Sequence, residues 1–117
     1  MICFVFVRRL KAGRTYEDFL RAWYPDKGFG VDDGRVYLAV KGDDPREVLT
    51  VGFLEPPAGD FDEFMQRIAA QEATRHDRIA EVIEETTLRS LYDVVGNFDF
   101  STDAAVAAGR PADVDRE

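Results

Sequence analysis

Glu72 and His76 stand four residues apart in the stretch QEATRHDRIAEVIEE, Gln71 to Glu85, and His76 is the chain's only histidine. On a helix that spacing places both on one face. A histidine titrates near neutrality, and a neighbouring carboxylate holds its tautomer, which is the pairing a general base needs. Yet the pair falls where an apolar stripe should run: Phe61, Met65, Ile68, then Glu72, then Arg75 or His76, then Ile79 and Ile83. In one reading His76 acts over a pocket, oriented by Glu72. In the plainer reading it is a surface residue of a salt-bridged turn with Glu72, Arg75, Asp77 and Arg78.

Length favours the plainer reading. One straight helix from Asp60 to Glu85 would run about 39 Å at 1.5 Å per residue. Strands of the size this chain offers reach about 23–34 Å. Thr74 followed by Asp77 also has the form of a capping box. A break is therefore expected near Ala73 and Thr74, with a second helical piece from Arg75 to Glu85 whose apolar set is Ile79, Val82 and Ile83. His76 would then sit in a first turn, facing solvent.

A second group is aromatic. Trp23, Tyr24, Phe29 and Tyr37, with Tyr16 and Phe19 on the same helical segment and Phe4, Phe6 and Phe53 on strands, could line a cleft for a flat apolar ligand. Core packing is the simpler role for Phe4, Phe19 and Phe53. Trp23, Tyr24 and Tyr37 are better binding candidates, because each has a polar tip that needs a partner. The segment Gly28–Gly34 beside them has the composition of a lid or of a plain connection.

Other chemistries find little support. One histidine with scattered carboxylates does not make the three-ligand set of a catalytic zinc, so no metal is expected. Haem ligation by His76 has no second supporting feature. Cys3 lies in an apolar strand and reads as inert, and a lone cysteine excludes an internal disulfide. GFGVDDG precedes a strand rather than a helix, so it is no dinucleotide fingerprint. Ser90 and Ser101 sit on no sharp turn, which argues against a Ser/His/Asp triad. No cofactor is expected.

The elements that must position these residues follow from pattern. ICFVFVRR reads as a strand over about residues 2–9. Thr15, with Asp18 three residues on, caps a helix whose Tyr16, Phe19, Leu20 and Trp23 share a face, and Pro25 ends it. RVYLAVKG and REVLTVGFLE form a hairpin around GDDP. A helical pattern starts near Asp60 and reaches about Glu85, and LRSLYDVVGNFDF is a last strand. The order β-α-β-β-α-β predicts an α+β, ferredoxin-like domain over residues 1–102, a four-stranded antiparallel sheet with both helices on one face. Residues 103–117 form an acidic, Ala-rich tail expected to be disordered or loosely packed.

Both faces of the strands are apolar. Ile2, Phe4 and Phe6 alternate with Cys3, Val5 and Val7, and Leu49, Val51 and Phe53 alternate with Val48, Thr50 and Leu54. Two helices can cover only one face, so a second copy of the sheet is expected on the other, making a homodimer.

The chain resembles the dimeric α+β barrel superfamily, which includes EthD-like, antibiotic-biosynthesis monooxygenase-like and stress-responsive barrel proteins. The likeness is in element order over residues 2–100, and is most local at VRRLKAGRTYEDFLRAW. EthD-like sequences usually continue with a histidine after the tryptophan; here the continuation is YPDKG. The resemblance implies a dimeric barrel. It also implies either a cofactor-independent oxygenase or isomerase acting on a small apolar or aromatic molecule, or a non-catalytic dimeric module that binds a ligand or a protein.

Composition bounds the partners. A net charge of −8 repels phosphate backbones, and the densest basic group, Arg8, Arg9, Lys11 and Arg14, is too small to offset it. Nucleic acid and anionic membrane are therefore not expected. At the N-terminus the apolar run precedes the basic residues, the reverse of a signal peptide, which makes a cytoplasmic location the expectation.

Overall fold

The computed structural model describes residues 1–55 and 61–113. Asp60, the expected helix start, lies outside the described residues. The chain is α+β, with a four-stranded antiparallel sheet and three helices. Strand β1 (Ile2–Leu10) leads through a turn at Gly13 to helix α1 (Tyr16–Trp23). Gly13 has φ 81°, a left-handed conformation that glycine adopts without a Cβ clash. The capping box forms as read: Asp18 N–H donates to Thr15 Oγ1 at 3.2 Å, and Thr15 N–H donates to Asp18 Oδ2 at 2.9 Å.

Strands β2 (Gly34–Lys41) and β3 (Asp44–Leu54) form the hairpin, and α2 (Phe61–Ala80) leads to β4 (Ile83–Asp93). The sheet order is β2-β3-β1-β4, with β1 and β3 central. Register fixes the faces. Phe4 pairs with Gly52 and Leu91, and Phe6 with Thr50 and Arg89, so these side chains share the face turned to the helices. Cys3, Val5 and Val7 oppose Phe53, Val51 and Leu49 on the other face.

Two expectations are corrected. The break near Ala73 and Thr74 does not occur, for α2 runs through it without interruption. Thr74 does not cap. Its hydroxyl donates back to the Ala70 carbonyl at 3.2 Å, a bond made inside a helix. His76 is therefore not in a first turn. The end of α2 also comes earlier than expected, at Ala80 rather than Glu85, and β4 begins at Ile83. Val82 N–H closes a turn on the Ile79 carbonyl at 3.0 Å, so the set Ile79, Val82 and Ile83 spans a helix, a turn and a strand. Ending at Ala80 removes the overhang that motivated the break.

The core is concentrated at one end. Leu10, Phe19, Val48, Ile79 and Val82 are buried together, with Trp23 and Leu38 packed against them. Between α2 and the sheet a cavity remains, lined along the helix from Phe61 to Ile79. After β4 the chain continues past Phe98 and Phe100, which stack at 6.1 Å, to a short helix α3 (Asp103–Gly109) that buries no residue. Among the described residues, no helix is long and apolar enough to cross a membrane.

Candidate functional site

The cavity lies between α2 and the inner face of the sheet and has a volume of about 330 Å³, within the range of small-molecule sites. Its floor comes from alternate residues of β1: Ile2, Phe4, Phe6 and Arg8. Its roof comes from the stripe of α2: Phe61, Phe64, Ile68, Glu72, Arg75 and His76. Trp23 and Phe29 close one side, and Arg89 and Leu91 of the edge strand close another. Gly52 lets the floor lie flat, because a Cβ there would sit 2.0 Å from Phe4 Cζ.

Both floor and roof change from apolar to charged along the chain. Arg8 is 4% exposed and donates to Thr50 Oγ1 at 3.3 Å. Its guanidinium lies 4.1 Å from the Phe6 ring centroid and 5.6 Å from that of Phe19. The ladder between β1 and β4 shifts register between Val7 and Arg8, the kind of irregularity that re-aims a side chain. Burial, together with the charges of Arg75 and Arg89, pulls Arg8 down to about 10, which leaves it charged at neutral pH.

Arg75 joins the helices. Its Nε donates to the Trp23 carbonyl at 2.8 Å, satisfying the end of α1, and its Nη1 donates to Glu72 Oε1 at 2.6 Å. Its guanidinium also lies 5.3 Å from the Trp23 ring centroid and 5.7 Å from that of Phe29. Arg78 bonds the Tyr24 carbonyl and Asp26, and Gln71 bonds the Lys27 carbonyl, so α2 fastens the segment after α1.

His76 lines the cavity with its side chain 37% exposed, Nε2 standing 3.9 Å from Glu72 Oε2. Burial, then the charge of Arg89, holds the imidazole below the ordinary 6.5, while Glu72 works in the opposite direction. At neutral pH the ring is therefore uncharged, able to accept or donate one hydrogen bond.

Of the residues singled out from sequence, the fold brings His76, Glu72, Trp23 and Phe29 to one cavity. It does not bring Tyr24, which is 65% exposed as the cap of α1, or Tyr37, which is 60% exposed on the opposite sheet face. Arg8, Arg75 and Arg89 were not among the candidates. A signal existed for Arg8: it continues the inward parity of Ile2, Phe4 and Phe6, and an inward charge on a core strand needs a reason. Among the described residues there is no group of three or more His, Cys, Asp or Glu that could hold a metal ion.

Comparison with known protein families, with curated proteins and with solved structures gives no match. The geometry alone carries the functional reading.

Proposed function

We propose that this chain is a dimeric, ferredoxin-like α+β barrel protein that binds a small apolar or aromatic molecule between α2 and the sheet. The observation that carries this reading is the 330 Å³ cavity, walled mainly by Phe, Ile and Leu with a few polar groups gathered at one end. Such a mixture suits orientation of a ligand as well as its burial. The β-α-β-β-α-β order and the sheet order β2-β3-β1-β4 support the ferredoxin-like assignment.

A homodimer through the outer sheet face is supported by two features. Cys3, Val5, Val7, Leu49, Val51 and Phe53 share that face by register. Tyr37 and Tyr92 stand exposed on it. An interface of about 1,600 Å² of mostly apolar surface is the usual size for a stable pair.

Binding is tested with 2-naphthalenemethanol, an uncharged aromatic alcohol, by calorimetry. One site per chain is expected, lost when Ile68→Trp fills the cavity. No binding to the wild-type protein rejects the reading.

A second reading, catalysis, is favoured by one observation: the uncharged imidazole of His76 faces the cavity and can act as a base. Mass spectrometry of the bound compound after incubation in air separates the two. A product of higher mass or, for an isomer, of changed chromatographic retention, formed by the wild type and not by His76→Gln, supports catalysis, and a compound unchanged in both supports binding alone.

A further inference from the structure

Three guanidiniums and one carboxylate meet at the charged end of the cavity, in a chain whose net charge is −8. Arg75 already serves Glu72 and the Trp23 carbonyl. Arg8 and Arg89 do not have such partners: among the described residues no carboxylate lies within 4.0 Å of either. Both lie over the same ring, 4.1 and 5.7 Å from the Phe6 centroid, and both line the cavity. For buried Arg8 the carboxylate of Glu72 acts only through space and is shared with Arg75, so part of the cost of burying the charge is left for an anion supplied from outside to relieve.

We propose that this end of the cavity is an anion site, and that the ligand is a small organic acid with its carboxylate between Arg8 and Arg89 and its apolar body against Phe4 and Ile68. The inference rests on the reading of the cavity as a small-molecule site. A planar carboxylate suits the guanidinium fork, which can engage both of its oxygens. Neutral His76 stands beside it and can donate a further hydrogen bond. The apolar walls select the body, since they offer nothing to a bare inorganic ion. Arg75 holds the roof through Trp23 and takes the direct hydrogen bond of Glu72, which leaves Arg8 only the through-space influence of that carboxylate.

The test compares 2-naphthoate with 2-naphthalenemethanol, the same ring with and without the charge, by calorimetry at low salt. Charge-assisted hydrogen bonds to two guanidiniums should make the acid about tenfold to hundredfold tighter than the alcohol. Arg8→Met should reduce that ratio several-fold, and the double variant with Arg89→Gln should bring it near one. Replacing a buried, unpaired charge by an apolar chain of similar shape is expected to preserve the fold. Arg89→Gln, at an exposed strand position, gives the same readout without touching the core. Equal binding of acid and alcohol, or a ratio that survives both substitutions, overturns the anion site and leaves the apolar cavity standing. Failure of both compounds to bind overturns the cavity reading and the anion site with it.

Discussion

Replacing Gly52 by alanine should injure the cavity and the stability together, for a reason written in the floor of the site. Gly52 is buried on central strand β3, and its Cβ would meet Phe4 Cζ at 2.0 Å and both Cε atoms at 2.4 Å. Ordinary contact begins at 3.4 Å, so the ring must retreat by more than an ångström. Strand β3 is fixed by pairing on both sides, so the ring, not the backbone, must give. The ring lines the cavity and is expected to be pushed into it. Overpacking of this kind costs about 1–3 kcal/mol, while alanine regains about 0.5–1 kcal/mol of backbone entropy over glycine in a strand. The net loss should be about 1–2 kcal/mol, read as a fall of several degrees in the melting temperature. Calorimetry on the same variant should show weakened binding of 2-naphthalenemethanol, because the displaced ring occupies the ligand's place. Adding Phe4→Leu, which removes the ring that clashes, should restore part of both. A Gly52→Ala protein as stable as the parent and equal in ligand affinity would refute the packing of Phe4 over Gly52.

Other outcomes follow from the same geometry. The imidazole of His76, the one histidine signal in an NMR titration, should titrate below 6.5, and Arg89→Gln should raise it by removing the like charge. The groups facing it are Glu72 and Arg75 on α2, Arg8 on β1 and Arg89 on β4. Because the folded value lies below the unfolded one, the unfolded chain takes the proton first. Stability should therefore decline as pH drops below about 6.5, and His76→Gln should remove that part of the slope; a slope unchanged in the variant contradicts it. Sedimentation at micromolar concentration should give twice 13.2 kDa, and Leu88→Lys on the outer face should shift it toward the monomer; a parent protein that sediments as a monomer excludes the dimer. A chain ended at Thr102 should melt within about 0.5 kcal/mol of the parent, since α3 buries no residue; a larger loss would show that the segment docks.

Most of the architecture could be read from sequence because it rests on local signals. Thr15 and Asp18 cap α1, alternation marks the strands, and the β-α-β-β-α-β order follows from them. The course of α2 was misjudged for a physical reason. Thr74 carries a hydroxyl that can cap a helix or bond back to the i−4 carbonyl, and sequence does not distinguish these; here it does the second. The boundary with β4 was missed because Ile79, Val82 and Ile83 keep helical spacing while belonging to one buried cluster that bridges a turn. Tyr24 and Tyr37 have the residue types of a binding site but the wrong positions. One caps a helix in solvent, and the other has the outward parity of β2.

The stripe on α2 that turns polar at Glu72 makes sense only with the strand beneath it. Along β1 the inward residues are Ile2, Phe4 and Phe6, then Arg8, then Leu10. Along α2 they are Phe61, Phe64 and Ile68, then Glu72, Arg75 and His76, then Ile79. Leu10 and Ile79 belong to the same buried cluster, so the charged layer is bounded by core on one side and by an apolar cavity on the other. A fully solvated helix face would not be bracketed in this way, because the buried charges of Arg8 and Arg75 are costly unless something answers them. The chain has 23 acidic residues, and among the described ones only Glu72 lines this layer. That surplus of positive charge next to empty apolar space is the feature that a bound organic acid would account for, and it becomes visible only when the strand and the helix are read against each other.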